Sequence, residues 1–131
     1  SALEGIISQK LARKLCDKCK KLRPTNNYEK NLFRTVLGLE VGQVYEPVGC
    51  PECSFGYKGR VALHEVLLIN QDIRDAISNN VSKEELRNLV YSKDVITMIQ
   101  DGFYKILAGF TTITEVLKLI DLDDEIEERK H

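Results

Sequence analysis

The sequence has no apolar run that approaches the roughly 20 residues needed to span a bilayer. Its apolar stretches are short and have charged residues nearby. The start of the chain also lacks the pattern of a secretory signal peptide. These absences predict a soluble, cytoplasmic protein, and they argue against a disulfide framework of the kind found in secreted domains.

Residues for phosphate binding and nucleophilic chemistry are also scarce. No glycine is followed by Lys-Ser or Lys-Thr, so the phosphate-binding loop G-x-x-x-x-G-K-[ST] is absent. The only histidines are His64, inside an apolar stretch, and the final His131. A lone histidine in a strand is more often packed or hydrogen-bonded than catalytic. We therefore do not expect this chain alone to be catalytic.

The composition favours one compact unit with an uneven charge distribution. The chain has 131 residues, and the apolar fraction of 43% is enough to form a core. Residues 1–60 contain 11 Lys and Arg against 6 Asp and Glu, whereas residues 61–131 contain 8 against 14. A basic first half and an acidic second half predict a chain that orients against partners.

The four cysteines form two C-x-x-C pairs, and none is left over. The pairs are Cys16 with Cys19 and Cys50 with Cys53. Each C-x-x-C turn places two thiolates on one small loop, and two such knuckles together supply the four sulfurs of a tetrahedral Zn²⁺ site. The spacing therefore predicts a closed, structural zinc site.

Other interpretations of the cysteines are weaker. A thioredoxin-like redox pair would leave the second pair unexplained, whereas four thiolates could also hold an iron–sulfur cluster. A zinc tetrathiolate has a net charge of about −2, which provides a local role for nearby cations. These cations are Lys14, Lys18, Lys20, Lys21 and Arg23.

Local patterns predict an α+β chain. Apolar residues recur at helical intervals in residues 3–15 and predict an amphipathic helix that becomes extended before Cys16. An asparagine cap and apolar spacing predict a second helix that ends near Gly38. The apolar, β-branched segment 60–69 predicts one buried strand.

Four short helices are predicted after that strand, because start signals recur at suitable intervals. The signals are Asn70, Ser82 with Glu85, Thr97, and Thr112 with Glu115, and Gly109 is the predicted stop of the third helix. The charged residues 122–131 predict a frayed helical tail.

Three blocks resemble, in the expected order, the C-terminal part of the type II secretion and type IV pilus assembly ATPases. They are SALEGIISQKLARKLCDKCK, GCPECSFGYKGRVALHEVL and DGFYKILAGFTTITEVLKLI. In that family, paired C-x-x-C motifs hold a structural zinc in a small subdomain of a RecA-like P-loop ATPase domain. The resemblance implies that Cys16, Cys19, Cys50 and Cys53 are the zinc ligands and that a C-terminal helical bundle follows.

The resemblance also implies a division of the chain. The expected parts are the end of the ATPase core at 1–15, a tetracysteine zinc subdomain at 16–60, a strand returning to the core at 61–69, a C-terminal helical subdomain at 70–121 and a charged tail at 122–131. The chain would be an excised C-terminal fragment of a hexameric motor whose full-length form binds ATP and Mg²⁺.

The implied partners are neighbouring ATPase subunits and platform proteins of the inner membrane, with the motor held peripherally at the cytoplasmic face. Lys58 and Arg60 are candidates for partner contacts. No nucleic acid is expected.

The main rival is a zinc-ribbon module that binds nucleic acid through the basic first half, with Phe55 and Tyr57 available to stack on bases. In the alternative interpretation, these aromatic residues pack over the zinc site.

Overall fold

The computed structural model of the chain describes residues 3–69, 71–92 and 95–120. It contains five strands and five helices in these residues. In chain order they are β1 (Leu3–Leu15), β2 (Lys21–Pro24), α1 (Asn27–Leu37), β3 (Gln43–Glu46), β4 (Tyr57–Ile69), α2 (Gln71–Ser78), α3 (Lys83–Ser92), β5 (Val95–Ile96), α4 (Met98–Leu107) and α5 (Ile113–Leu119). The fold is mixed α and β, as predicted, with antiparallel sheets.

The long strands β1 and β4 form the frame of the fold. They pair antiparallel from Leu3 opposite Ile69 to Leu15 opposite Tyr57, and β5 pairs with β4 to complete a three-stranded sheet in the order β1-β4-β5. The segment between β1 and β4 contains a separate two-stranded sheet of β2 and β3, with α1 between these strands.

The predicted helix in residues 3–15 is wrong, because this segment is strand β1. A helix would have buried the apolar stripe that includes Ile6, Leu11 and Leu15. The strand instead leaves Ile6 and Leu11 exposed and buries Ala12 and Leu15. Pairing with β4 determines this conformation, and a pattern confined to residues 3–15 contains no information about a partner strand so distant in sequence.

The predicted helix between the cysteine pairs is confirmed as α1. Asn26 accepts a hydrogen bond from the Glu29 backbone N–H, and the Glu29 carboxylate accepts one from the Asn26 N–H, which completes a capping box. Gly38 ends the helix in the left-handed conformation, with φ of 67°. The predicted strand at 60–69 is also confirmed and begins earlier, at Tyr57.

The four helices predicted after β4 are present, whereas β2, β3 and β5 were not predicted. Thr97 caps α4, and the turn after α4 contains Gly109 with φ of 83°. The Ser82 hydroxyl accepts the Glu85 N–H at the start of α3. The predicted cap Asn70 and the predicted tail 122–131 lie outside the described residues.

One hydrophobic core joins the inserted helix to the later helices. Phe33 of α1 meets Phe103 of α4 edge to face, with ring centroids 5.2 Å apart, and both side chains are fully buried. Gly102 lets α4 approach α5, because a Cβ at this position would lie 2.7 Å from Val116 Cγ1. Leu63 of β4 packs in the same cluster. The sheet, α1, α4 and α5 therefore share one core.

His64 lies half-buried in β4, and its backbone N–H donates to Asp101 Oδ2 at 2.8 Å. Among the described residues, no helix is long and apolar enough to cross a membrane.

Candidate metal centre

The two cysteine pairs lie at the same end of the β1-β4 ladder. Cys16 and Cys19 lie in the turn that follows β1, and Cys50 and Cys53 lie in the turn that precedes β4. Because Leu15 at the end of β1 pairs with the first residue of β4, the two turns are brought side by side. The Cys16 N–H donates to the Gly56 carbonyl oxygen at 2.9 Å and joins the two turns directly.

The four sulfur atoms form one compact cluster. All four Sγ atoms lie within 4.8 Å of one another. The separations are 3.9 Å for Cys16 and Cys50, 3.8 Å for Cys19 and Cys53, and 3.6 Å for Cys50 and Cys53. A tetrahedron of sulfurs about 2.3 Å from a central Zn²⁺ has edges of about 3.8 Å. All four cysteines are free thiols, so the donor set and its spacing fit a tetrathiolate zinc ion.

Backbone N–H groups act on the sulfurs and change their protonation. Hydrogen bonding from the Lys18 backbone is the largest influence on Cys16 and, with the Cys19 backbone, lowers the Cys16 pKa to about 7. The Glu52 backbone acts on Cys50 in the lowering direction, but burial and the neighbouring thiols together raise the Cys50 pKa to about 11. The Gly49 N–H donates to Cys19 Sγ at 3.3 Å. Because cysteine binds a metal as the thiolate, metal binding at this cluster would release protons.

The basic residues around the first knuckle contact carboxylates. Lys14 and Lys20 both pair with Asp17, at 3.3 and 3.1 Å, and Lys18 pairs with Glu52 across the two knuckles. These carboxylates therefore neutralise part of the positive charge that we predicted to balance the thiolates. The Lys18–Glu52 pair is exposed on both sides and contributes little to stability, whereas the Lys20 side chain in the pair with Asp17 is mostly buried.

Lys58 and Arg60, the predicted partner contacts, are solvent-exposed at the start of β4. Lys58 lines a shallow cleft beside Cys16, together with Lys14 and Lys18. Arg60 lies opposite Arg13 in the β1-β4 ladder. Both side chains are accessible, and both residues follow the last of the four cysteines in the chain.

The two aromatic residues after the second knuckle have different environments. The Tyr57 ring lies under the Arg13 guanidinium, with 4.2 Å from Cζ to the ring centroid, and its hydroxyl is 3.1 Å from Thr112 Oγ1. Tyr57 is therefore a packing residue. Phe55 is 87% exposed and has a positive φ of 55°, which is uncommon for a residue with a side chain.

The sequence patterns did not predict the contacts between the end of β1 and the helical part of the chain. Arg13 Nη2 donates to Glu115 Oε2 at 2.9 Å, and the Arg13 backbone N–H donates to the other carboxylate oxygen at 3.1 Å. Glu115 is 4% exposed, and its hydrogen bond from Arg13 is the main reason that its pKa is lowered to about 2. We predicted that Thr112 and Glu115 form a capping box. The Glu115 N–H does donate to Thr112, whereas the carboxylate binds β1.

Comparison with known proteins identifies the family. The family model described as "Type II/IV secretion system protein" matches residues 1–118. The type IV pilus assembly ATPase PilB of Thermus thermophilus is 37% identical over 119 residues, which cover 89% of this chain and 13% of that protein. A putative type II secretion system protein E of Escherichia coli is 35% identical over 128 residues, which cover 97% of this chain and 26% of that protein.

The type II secretion system protein E of Pectobacterium carotovorum is 36% identical over 121 residues, which cover 91% of this chain and 23% of that protein. This chain therefore spans about a quarter or less of the length of these relatives. The family resemblance in the sequence is thus confirmed, and the chain belongs to the type II/IV secretion system protein family.

Proposed function

We propose that this chain is the zinc-bearing C-terminal region of a hexameric motor ATPase that powers type II secretion or type IV pilus assembly. The observation that supports the local part of this proposal is the cluster of four cysteine sulfurs within 4.8 Å of one another. The family match over residues 1–118 and the printed names of the relatives support the motor context.

The proposed role of the zinc ion is structural. Cys16, Cys19, Cys50 and Cys53 would fill all four positions of a tetrahedral ion and leave none open for substrate or water. Because the two knuckles are separated in sequence, an ion shared between them would stabilise the fold by an amount on the order of 10 kcal/mol.

The proposed context follows from the family. The parent protein would bind ATP and Mg²⁺ through a RecA-like core that continues into residues 1–15 and 61–69. The zinc subdomain 16–60 and the helical subdomain 70–121 would meet neighbouring subunits and platform proteins at the cytoplasmic face of the inner membrane. Lys58 and Arg60 are the proposed contact residues, because both are exposed in the first residues of β4, the strand that follows the second knuckle.

The metal assignment is tested by purifying the chain and measuring its bound metal by elemental analysis. We expect one zinc ion per chain, and replacement with Co²⁺ should give the absorption bands of a tetrahedral thiolate site. Cys16→Ser should lose the metal and unfold the knuckle region. Ser54→Ala, in the second knuckle, is the matched control and should keep both. A Cys16→Ser protein that retained its fold and metal would overturn the structural-zinc assignment.

The motor assignment is tested by comparing this chain with its full-length parent. The parent should bind and hydrolyse ATP and should lose assembly activity when its zinc is removed. This chain should neither bind nor hydrolyse ATP, because its sequence has no phosphate-binding loop. ATP hydrolysis by the purified chain would contradict this proposal.

A further inference from the structure

The turn between α4 and α5, residues 108–112, is tied to the strand that leads into the first knuckle. We call this segment the α4-α5 turn. The Leu15 N–H donates to the Phe110 carbonyl oxygen at 2.8 Å. The Thr111 hydroxyl donates to the Arg13 carbonyl oxygen, also at 2.8 Å, and Thr111 is fully buried. The α4-α5 turn thus completes the outer edge of β1 immediately before Cys16.

Lys20 extends this connection from the strand to the knuckle itself. Its backbone N–H donates to the Cys16 carbonyl oxygen at 3.0 Å and closes the knuckle turn. Its ammonium group donates to the Gly109 carbonyl oxygen at 3.0 Å and lies 3.1 Å from Asp17 Oδ1. The ammonium also lies 4.7 Å from the centre of the Tyr45 ring. Only 18% of the Lys20 side chain is exposed, which is low for a lysine.

Gly109 leaves little freedom on the other side of this contact. It is buried, has φ of 83°, and a Cβ at this position would lie 2.9 Å from Tyr45 Cδ2 and 3.2 Å from Lys20 Nζ. The Gly109 carbonyl would lose a charged donor if Lys20 moved away. A buried carbonyl without a donor is unfavourable, so the conformation of the α4-α5 turn depends on the position of Lys20.

We propose that metal binding at the four cysteines is energetically coupled to the order of the α4-α5 turn, and that Lys20 is the positioning residue that carries the coupling. This inference rests on the proposed zinc site. An ion that joins Cys16 and Cys19 to the second knuckle holds the first knuckle closed, which places the Lys20 ammonium on Gly109. Without the ion the knuckle can open, and Lys20 then no longer holds the turn.

Coupling between two sites is reciprocal. If zinc stabilises the closed α4-α5 turn by a given factor, then removing the Lys20 contact lowers zinc affinity by the same factor. We expect about tenfold, within the usual range for coupled sites. The coupling would give the motor's helical region a direct link to its metal knuckle, separate from the shared hydrophobic core.

The test uses Lys20→Met, which keeps an unbranched side chain and removes the ammonium, and Lys21→Met as the matched control. Zinc affinity is measured by competition with a chelator, and amide hydrogen exchange is followed by NMR with and without zinc. The reporter amides are those of Gly109 and Phe110, which donate to carbonyl oxygens of α4. The Asp101 amide, in the first turn of α4, is the internal reference.

In the unmodified chain and in Lys21→Met, zinc should slow exchange at Gly109 and Phe110 by about tenfold and change the Asp101 rate by less than about twofold. In Lys20→Met, the zinc-dependent change at the turn should disappear, and zinc should bind about tenfold more weakly.

Three results would overturn the inference. A Lys20→Met protein that kept the zinc-dependent protection would show that Lys20 does not carry the coupling. If Lys20→Met lost protection at Gly109 and Phe110 by the same factor with and without zinc, Lys20 would contribute to packing alone. Loss of protection at Asp101 together with the turn would show global unfolding rather than local coupling. If the unmodified chain binds no zinc, the proposed zinc site fails as well, whereas normal zinc binding without a change at the turn refutes the coupling alone.

Discussion

Gly102 offers a sharp test of how α4 packs against α5, because the effect of Gly102→Ala on the free energy of unfolding should change sign when Val116 is shortened. A Cβ built on Gly102 would lie 2.7 Å from Val116 Cγ1, 3.1 Å from Val116 Cγ2 and 3.4 Å from Leu63 Cδ1. Val116 and Leu63 are both fully buried, so neither side chain can move into solvent. Gly102→Ala should therefore force the two helices apart or strain the core.

The expected magnitude combines two opposing effects. Alanine is favoured over glycine inside a helix by about 1 kcal/mol, and overpacking a buried site costs about 3 kcal/mol at the upper end of the usual range. Gly102→Ala should thus lower the free energy of unfolding by about 2 kcal/mol. Val116→Ala removes both of the closest atoms. In that background Gly102→Ala should raise the free energy of unfolding by about 1 kcal/mol.

The assay is urea unfolding of the unmodified chain, both single variants and the double variant, all saturated with zinc. Gly42→Ala is the control, because its added Cβ meets nothing within 4 Å, and its effect should be below about 0.5 kcal/mol. The double-mutant cycle should give a coupling energy of about 3 kcal/mol between Gly102 and Val116. The same sign for Gly102→Ala in both backgrounds would refute the packing argument.

Two further predictions concern backbone strain and acid stability. Gly56→Ala should lower the free energy of unfolding by about 3 kcal/mol or more, because its φ is 96° and its Cβ would lie 2.4 Å from Pro47 Cβ. Gly38→Ala should lower it by about 1 kcal/mol, because its φ is 67° but its Cβ would meet nothing within 4 Å. Equal losses for the two variants in urea unfolding would contradict this prediction. The hydrogen bond from Arg13 lowers the pKa of Glu115 to about 2, so its stabilising effect is present above the unfolded pKa near 4.3 and is lost as the pH falls towards 2. At pH 7 the free energy of unfolding of the unmodified chain should exceed that of Glu115→Gln by about 2 kcal/mol, a value that allows for solvent screening because Arg13 is half-exposed. A difference that stayed constant between pH 6 and pH 3 would be inconsistent with this cause.

The elements predicted correctly have signals contained in a few neighbouring residues. Helix α1 begins at Asn26 and ends at Gly38, because the capping side chain and the left-handed glycine act within one turn of the helix. Thr97 opens α4 for the same reason. The C-x-x-C spacing likewise places two sulfurs on one loop through local geometry.

Strand β1 shows where local patterns fail. Its apolar residues have spacings compatible with a helix, but it pairs with β4, and the paired residues are more than 40 residues apart in the sequence at every position. The strands β2 and β3 are only four residues long and pair across α1. Short strands of this kind depend on their partner more than on their own composition.

Glu115 and Lys20 have both a local signal and a distant contact, and they show why the surroundings of the cysteine cluster were harder to predict than the grouping of its four cysteines. The spacing of Thr112 and Glu115 predicted a helix start, and the Glu115 N–H does cap there, but its carboxylate is used by Arg13 of β1. Lys20 lies in a basic run that suggested a counter-charge for thiolates, yet its ammonium donates a hydrogen bond to the Gly109 carbonyl oxygen. The position of the two sulfurs on each knuckle depends on spacing within that knuckle. The residues that connect the knuckle to α4 and α5 depend on which segments fold against each other, so only the three-dimensional structure identifies them.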